Sequence, residues 1–332
     1  MLSTQAMDET RHPYAALTPD CVLDALDSIG IRGDGRLLAL NSYENRVYQV
    51  WRDEATPVVA KFYRPERWSD DQIGEEHAFV AELADAEIPA VAPLAVDGRT
   101  LHRFKGFRFA VYPRRGGRAP ELEQRRTLEH LGRYLARLHA VGARRPFVYR
   151  PRLTVDSHGD ASRAFLLAHD FIPGDLVPAW TSVVDAALRR VRDAFGRIET
   201  NALRVHGDCH GGNVLWTDEG PHFVDFDDAL MGPAIQDLWM LLSGERTAME
   251  AQLGILLDAY EMFRDFDRRE LALIEPLRTL RLLHYSAWLA RRIDDPAFPA
   301  AFPWFNTQRY WQDRILELRE QLALMDEPPL SA

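Results

Sequence analysis

The hydrophobic period of this chain changes once along its length, and that change limits what it can fold into. Up to about residue 112 the apolar residues come in short β-prone runs, at 37–40, 46–51, 58–62, 100–104 and 107–112. The polar stretches 41–45 and 53–57 read as turns between the first three runs, and Lys105-Gly106 as the turn between the last two. One helix interrupts the strands: Ile73, Ala78 with Phe79, and Leu83 recur at helical spacing until Pro89 stops it. From Leu128 the spacing is helical, with Leu128, Leu131, Leu135 and Leu138 on one face and Gly142 as the expected stop. From about Gln236 everything reads as helix, with faces such as Leu253, Leu256, Leu257 and Tyr260, until Glu327-Pro328-Pro329 ends ordered structure. The Pro- and Gly-rich stretch 113–117 divides the two regimes. The expectation is an α+β chain of two lobes, 1–113 small and β-rich with one helix, 114–332 larger and mainly helical.

With 332 residues, each lobe can bury a core of its own. No run approaches the ~20 apolar residues of a membrane helix, and the first ten residues lack the basic start and apolar stretch of a secretory signal. Only Cys21 and Cys209 are present, so no disulfide framework is expected and the chain reads as cytoplasmic. A net charge of -10 argues against nucleic-acid or anionic-membrane partners. Monomer is the default expectation.

The helical half holds one β-like island, 204–228, and the island carries the chemistry. It reads V-H-G-D-C-H-G-G-N-V from Val205 and V-D-F-D-D from Val224. His206, Asp208 and Asn213 form H-x-D-x-x-x-x-N, and Asp225 stands twelve residues after Asn213. Phosphoryl transfer from ATP needs this set: a carboxylate to orient the attacking hydroxyl, and an amide oxygen with a second carboxylate to hold Mg2+. An isolated Asp beside glycine would be read as a turn cap, but Asn213 in the same loop favours Asp208 as the catalytic carboxylate. His206 reads as a brace for that loop. Asp225 is the candidate catalytic metal ligand, at the place where kinases carry the Asp of D-F-G; here D-F-D stands instead. Asp227 and Asp228 read equally as helpers or as solvated charge.

Of 40 lysines and arginines only Lys61 and Lys105 are lysine, and Lys61 closes V-V-A-K at a strand end. Such a lysine can contact the α- and β-phosphates. Its partner should be a glutamate of the helix, Glu76, with Glu75 as the alternative, since a shift of one residue turns the side chain by ~100°. No G-x-G-x-x-G lies between the first two strands; N-S-Y-E-N does, where Ser42 and the N–H groups of Tyr43 and Glu44 can meet phosphate oxygens. A plain hairpin turn is the rival reading there.

These residues carry a signature that resembles the superfamily joining aminoglycoside and choline kinases to protein kinases, and within it the bacterial serine/threonine kinases of that fold. N-S-Y-E-N-R-V-Y, K-F-Y-R-P-E-R-W, E-E-H-x-F, H-G-D-C-H-x-G-N, D-x-D-D-A-x-x-G-P-A-x-Q-D-L-W-M-L and D-P-A-F-P all look like that family, from Asn41 to about Pro303. The resemblance implies a protein-kinase-like fold, with Asp208 as proton acceptor and Asn213 and Asp225 as Mg2+ ligands. Ser42 becomes an ATP-loop contact and Lys61 the phosphate-binding lysine. It further implies phosphorylation of protein serine or threonine, autophosphorylation, and a role in surviving envelope or oxidative stress. Three other readings stay open on the residues alone. One is a kinase acting on an aminoglycoside, choline or homoserine-like alcohol; another is a metal hydrolase built on His206, Asp208 and His210; the third is a catalytically dead binding module, disfavoured because every polar part is present.

Overall fold

The computed structural model describes residues 13–40, 42–53 and 55–332; the first twelve residues, Asn41 in the first expected turn and Glu54 in the second lie outside them. The chain divides into two compact units, one ending at Gly116 and one running Gly117–Ala332, so the division falls within the 113–117 stretch.

The N-terminal unit is built on a five-stranded antiparallel sheet with strands β1 (Leu37–Ala39), β2 (Arg46–Arg52), β3 (Ala55–Phe62), β4 (His102–Phe104) and β5 (Phe107–Pro113), in the order β1-β2-β3-β5-β4. Strand β3 starts three residues before the expected 58, so Pro57 lies inside a strand. The β2–β3 register shifts between Val50 and Arg52, which places Pro57 where the ladder is already interrupted. A residue without an N–H costs little at such a point.

Strand alternation decides which side chains face which helix. Ala60, Phe62, Phe109 and Val111 pack with Val22, Ala25 and Leu26 of helix α1 (Pro19–Asp27). The alternate residues Tyr63 and Ala110 pack with Ile73 of helix α2 (Asp70–Asp85). Helix α1 was not among the expected elements; its signal is Thr18-Pro19, an N-cap hydroxyl accepting from Cys21 N–H followed by proline in the first turn. Helix α2 is started by a capping box between Ser69 and Gln72 with Asp70 and Asp71 in its first turn. It ends before Glu87, whose φ of 57° leaves the helical region ahead of Pro89.

The C-terminal unit holds helices α3 (Arg125–Gly142), α4 (Ala161–Ala168), α5 (Val177–Arg197), α6 (Ile235–Trp239), α7 (Arg246–Tyr260), α8 (Ile274–Ala290), α9 (Phe298–Ala301) and α10 (Gln308–Asp326). The β-like island forms two antiparallel pairs: β6 (Leu203–Val205) with β9 (Leu230–Gly232), and the hairpin β7 (Val214–Thr217) with β8 (Gly220–Phe223). Helix α3 packs along α7, burying all four leucines that marked its face and also Leu253, Leu256, Leu257 and Tyr260.

Gly142 does end α3, for a different reason than a left-handed glycine cap. The residue after it is αR, and a Cβ on Gly142 would meet the carbonyl oxygen of Arg204 at 2.1 Å. The buried Arg204 guanidinium bonds the Val141 carbonyl at 3.0 Å, so a cation neutralises the end of the helix. Glycine is needed there because β6 passes against the helix terminus. The C-terminal tail is also fixed rather than loose. Arg246 bonds the carbonyls of Pro328 and Pro329, both at 2.9 Å, the Ser331 N–H donates to Glu250 at 3.1 Å, and Leu330 is buried.

Candidate active site

The hairpin β7–β8 explains why two residues twelve positions apart become neighbours. Its register pairs Val214 with Phe223, and the ladder continues one step, with Val224 N–H donating to the Asn213 carbonyl at 3.0 Å. Asp225 is the next residue. It is exposed and has φ 59° and ψ 63°, a left-handed conformation that Asp tolerates better than most residues. His206 ties the two segments a second time, its Nε2–H donating to the Val224 carbonyl at 2.9 Å.

Asp208 lies in the same loop with four polar contacts. Its Oδ1 accepts from Arg281 Nη1 at 2.6 Å, and its Oδ2 lies 3.4 Å from His210 Nε2. Asn213 Nδ2 donates to the Asp208 carbonyl at 2.9 Å and to Oδ2 at 3.4 Å. Because the amide spends its N–H groups on Asp208, its acceptor oxygen takes no part in these bonds, as a metal ligand requires. Burial opposes ionisation of Asp208, but the His210 hydrogen bond and the Arg281 guanidinium outweigh it and hold the carboxyl far below the usual carboxylate range.

The loop is positioned by a residue that sequence reasoning gave no role. Asp237 on α6 is fully buried and accepts from His206 N–H at 2.8 Å, Gly207 N–H at 2.9 Å and His139 Nε2–H at 3.0 Å. His139 in turn meets the Tyr260 hydroxyl through Nδ1 at 2.9 Å. Gln236 holds the next peptide, donating to the Gly207 carbonyl at 2.8 Å. Gly207 itself has φ 86°, and a Cβ there would meet the Asp228 carbonyl oxygen at 2.2 Å, so no other residue fits. The buried Arg150 bonds the carbonyls of Asp227 at 2.5 Å and Ala229 at 2.7 Å, which fixes the chain just past Asp225. Asp227 is buried, unlike a solvated charge.

In the N-terminal unit, Lys61 pairs across the ladder with Ala110 and so belongs to the sheet face covered by α2. It is 6% exposed, with Nζ 5.3 Å from the centre of the Tyr63 ring. Glu76 of α2 is 2% exposed, whereas Glu75 is only half-buried, so the helix turns Glu76 toward the sheet. Its neighbour His77 pins α2 to that sheet, through Tyr63 at 2.7 Å and Thr100 at 2.8 Å. Ser42 is half-buried in the β1–β2 loop. The loop is anchored just beyond it: the Glu44 carboxylate pairs with Arg64 at 3.1 Å, and the Arg64 N–H donates to Asn45 Oδ1 at 3.1 Å.

This geometry disposes of the hydrolase reading. Both ring nitrogens of His206 are engaged, Nε2 by Val224 and Nδ1 by the Asp208 N–H at 3.4 Å, so the imidazole has no lone pair for a metal. Among the described residues no group of three or more His, Cys, Asp or Glu side chains is arranged to hold a metal ion.

The sequence profile of the APH family, described as a phosphotransferase enzyme family, matches residues 36–274. The chain belongs to the APH phosphotransferase family. Stress response kinase A of Salmonella choleraesuis is 46% identical over 324 residues, covering 98% of both proteins. The Escherichia coli K12 protein of the same name is 45% identical over the same share, and a Salmonella typhimurium relative at 46% is named serine/threonine protein kinase RdoA. Two solved structures share the fold. The amicoumacin kinase hAmiN, in complex with AMP-PNP, Ca2+ and Ami, has a TM-score of 0.70 at 17% identity over 90% of each chain. A microcompartment-associated aminopropanol kinase has 0.66 at 20% identity over 88% of this chain and 91% of its own.

The resemblance read from the motifs therefore holds, as does the protein-kinase-like fold with its five-stranded sheet and helical C-terminal part. The chain is an APH-family phosphotransferase homologous to stress response kinase A. Among the described residues no helix is long and apolar enough to cross a membrane. Asp237 lay inside a quoted family motif, G-P-A-x-Q-D-L-W, so its position was visible though its role was not. Arg150 and Arg281 gave no sequence signal.

Proposed function

We propose that the chain is an ATP- and Mg2+-dependent serine/threonine protein kinase that also phosphorylates itself. The observation that carries the proposal is the joined loop system, in which Asp208, Asn213 and Asp225 are brought together by the β7–β8 ladder and the His206–Val224 bond. Asp208 orients the acceptor hydroxyl and receives its proton, so that the oxygen can bond the γ-phosphorus as the bond to ADP breaks. Asn213 and Asp225 would hold Mg2+; one amide oxygen and one carboxylate suit an ion that takes its remaining ligands from phosphates and water. When bound, that ion supplies positive charge against the phosphate oxygens. Lys61, backed by Glu76, serves the α- and β-phosphates as a compact charge, and Ser42 serves the covering loop. The cytoplasm, where ATP is available, is the compartment this reading requires.

The protein acceptor is favoured over a cationic metabolite by what surrounds Asp208. The side chains that meet its carboxylate include the Arg281 guanidinium, whose fixed positive charge would oppose a polycation such as an aminoglycoside there. The relative named serine/threonine protein kinase RdoA supports the same choice. Incubation of the purified protein with labelled ATP, Mg2+ and a generic protein acceptor tests it, beside a panel of amino alcohols and aminoglycosides. Label should enter protein, and Asp208→Asn should abolish most of it, by a factor of about 100 or more, while nucleotide still binds. Fast turnover on a metabolite with no labelled protein would overturn the acceptor.

A further inference from the structure

Arg281, on the exposed face of α8, is only half used. Nη1 donates to Asp208 Oδ1 at 2.6 Å and lies 3.9 Å from the Met240 sulfur; Nε and Nη2 bond none of the described residues, and the side chain is 42% exposed. An ion pair that open to water contributes little stability by itself, so holding the fold together is a weak account of it. A guanidinium carries donors on two edges, and one edge taken by a carboxylate leaves the other free for a second anion. Next along the same helix face come Tyr285, exposed, and Trp288, their rings stacked with centroids 5.8 Å apart. Arg281 thus stands between the carboxylate that meets the acceptor hydroxyl and an aromatic shelf.

We infer that Arg281 reads a negative charge on the acceptor, beside the serine or threonine hydroxyl that Asp208 orients. The inference rests on the protein-kinase reading and names the peptide chemistry that reading leaves open. A hydroxyl bonded to Asp208 and an anion on the free guanidinium edge would be on the order of 6–8 Å apart, since each bond spans ~2.8 Å. Along an extended peptide that is the distance to a residue one or two positions from the acceptor. The preferred substrate is a serine or threonine flanked by Asp, Glu or a phosphorylated residue, and Arg281 is a specificity-determining residue.

The test uses short peptides with one central serine that differ only at the neighbouring positions, which carry Glu, Gln or Lys. Wild-type enzyme should prefer Glu over Gln by about tenfold in kcat/KM, mostly through KM, with Lys worst. Arg281→Met should bring the Glu/Gln ratio to about one, and Arg281→Lys should keep part of it. This ratio is insensitive to a general loss of folded enzyme, which lowers both rates alike. Equal rates on Glu and Gln peptides in the wild type, or an unchanged ratio in Arg281→Met, would overturn the inference alone. No transfer to any peptide or protein, with transfer to a small alcohol, would overturn the protein-kinase reading and the inference with it.

Discussion

Replacing Asp237 by asparagine should disable the enzyme from a position the substrate never touches. The carboxylate satisfies two backbone N–H groups and one imidazole N–H, at 2.8, 2.9 and 3.0 Å, with no exposure to water. Asparagine keeps a single acceptor oxygen. Placed to serve His206 and His139, which share Oδ2, it turns its NH2 toward the Gly207 N–H, so two donors face each other in a dry site. An unmet buried donor costs about 1–3 kcal/mol, and the two surviving bonds drop to roughly half their strength once the charge is gone. The sum is about 3–4 kcal/mol, against a total stability of ~5–15 kcal/mol for a folded protein.

Gly207 directly precedes Asp208, so the same change should loosen the carboxylate proposed to be catalytic. A misplacement of ~1 Å costs on the order of 100-fold in rate. Denaturant titration reports the first effect, and phosphoryl transfer per folded molecule reports the second. A stability loss below ~1 kcal/mol with turnover within about twofold of wild type would refute the account of how this loop is held.

The other expectations can be checked separately. Asp225→Ala should weaken Mg2+-dependent nucleotide binding while costing no more than about 1–2 kcal/mol of stability, because the side chain is exposed and alanine only strains the left-handed backbone; equal affinity in a calorimetric titration would contradict a place for it in the metal site. Gly142→Ala should destabilise by about 3 kcal/mol or more, since the added methyl meets a backbone oxygen at 2.1 Å, and a thermal melt reads this directly. Glu270, buried behind α6, accepts from the Ile235 N–H at 2.9 Å, and burial pushes its carboxyl up to about 7 from the ordinary 4.5. The unfolded chain releases that proton first, so stability from this group is greatest below pH 4.5 and falls as pH rises to about 7, by about 3 kcal/mol in all. Glu270→Gln should flatten that part of the stability–pH curve, and an unchanged slope between pH 5 and 7, roughly the titration range, would contradict the cause given.

What could be read from the sequence follows a physical pattern. The placement of Lys61 and Glu76, though not their roles, was legible because strand alternation and helical spacing are local rules, and both residues are buried where those rules put them. The nearness of Asn213 and Asp225 follows from a hairpin whose short turn fixes its own register. Asp237, His139, Arg150 and Arg281 act through partners far along the chain: 98 residues separate His139 from Asp237, and 73 separate Arg281 from Asp208. No period or motif encodes such a meeting; it appears only once α3, α6 and α8 are packed. Helix α1 was missed for another reason, since its nine residues are too few to display a clear period and only its cap announced it. Gly142 was placed correctly and explained wrongly, because close approach and left-handed turning both call for glycine.

The surroundings of Asp208 also bear on how it works. A carboxyl held far below the usual range by a guanidinium and an imidazole is a weak base, and an alcohol is a far weaker acid than any carboxyl. Early removal of the acceptor proton by such a group would be steeply uphill. Transfer through a loose, metaphosphate-like transition state does not need it, since the attacking oxygen carries little of the bond-making burden until late. In the role proposed for it, Asp208 would contribute chiefly by direction: Asn213 and Arg281 fix the plane of the carboxylate, so a hydroxyl that bonds it would be aimed before reaction. On that proposal the proton would pass to Asp208 only as the new P–O bond forms and the oxygen becomes acidic. If so, substituting the acceptor hydroxyl with neighbours that change its acidity should alter the rate little, whereas shortening Asp208's reach by any change that frees Asn213 should cost it heavily.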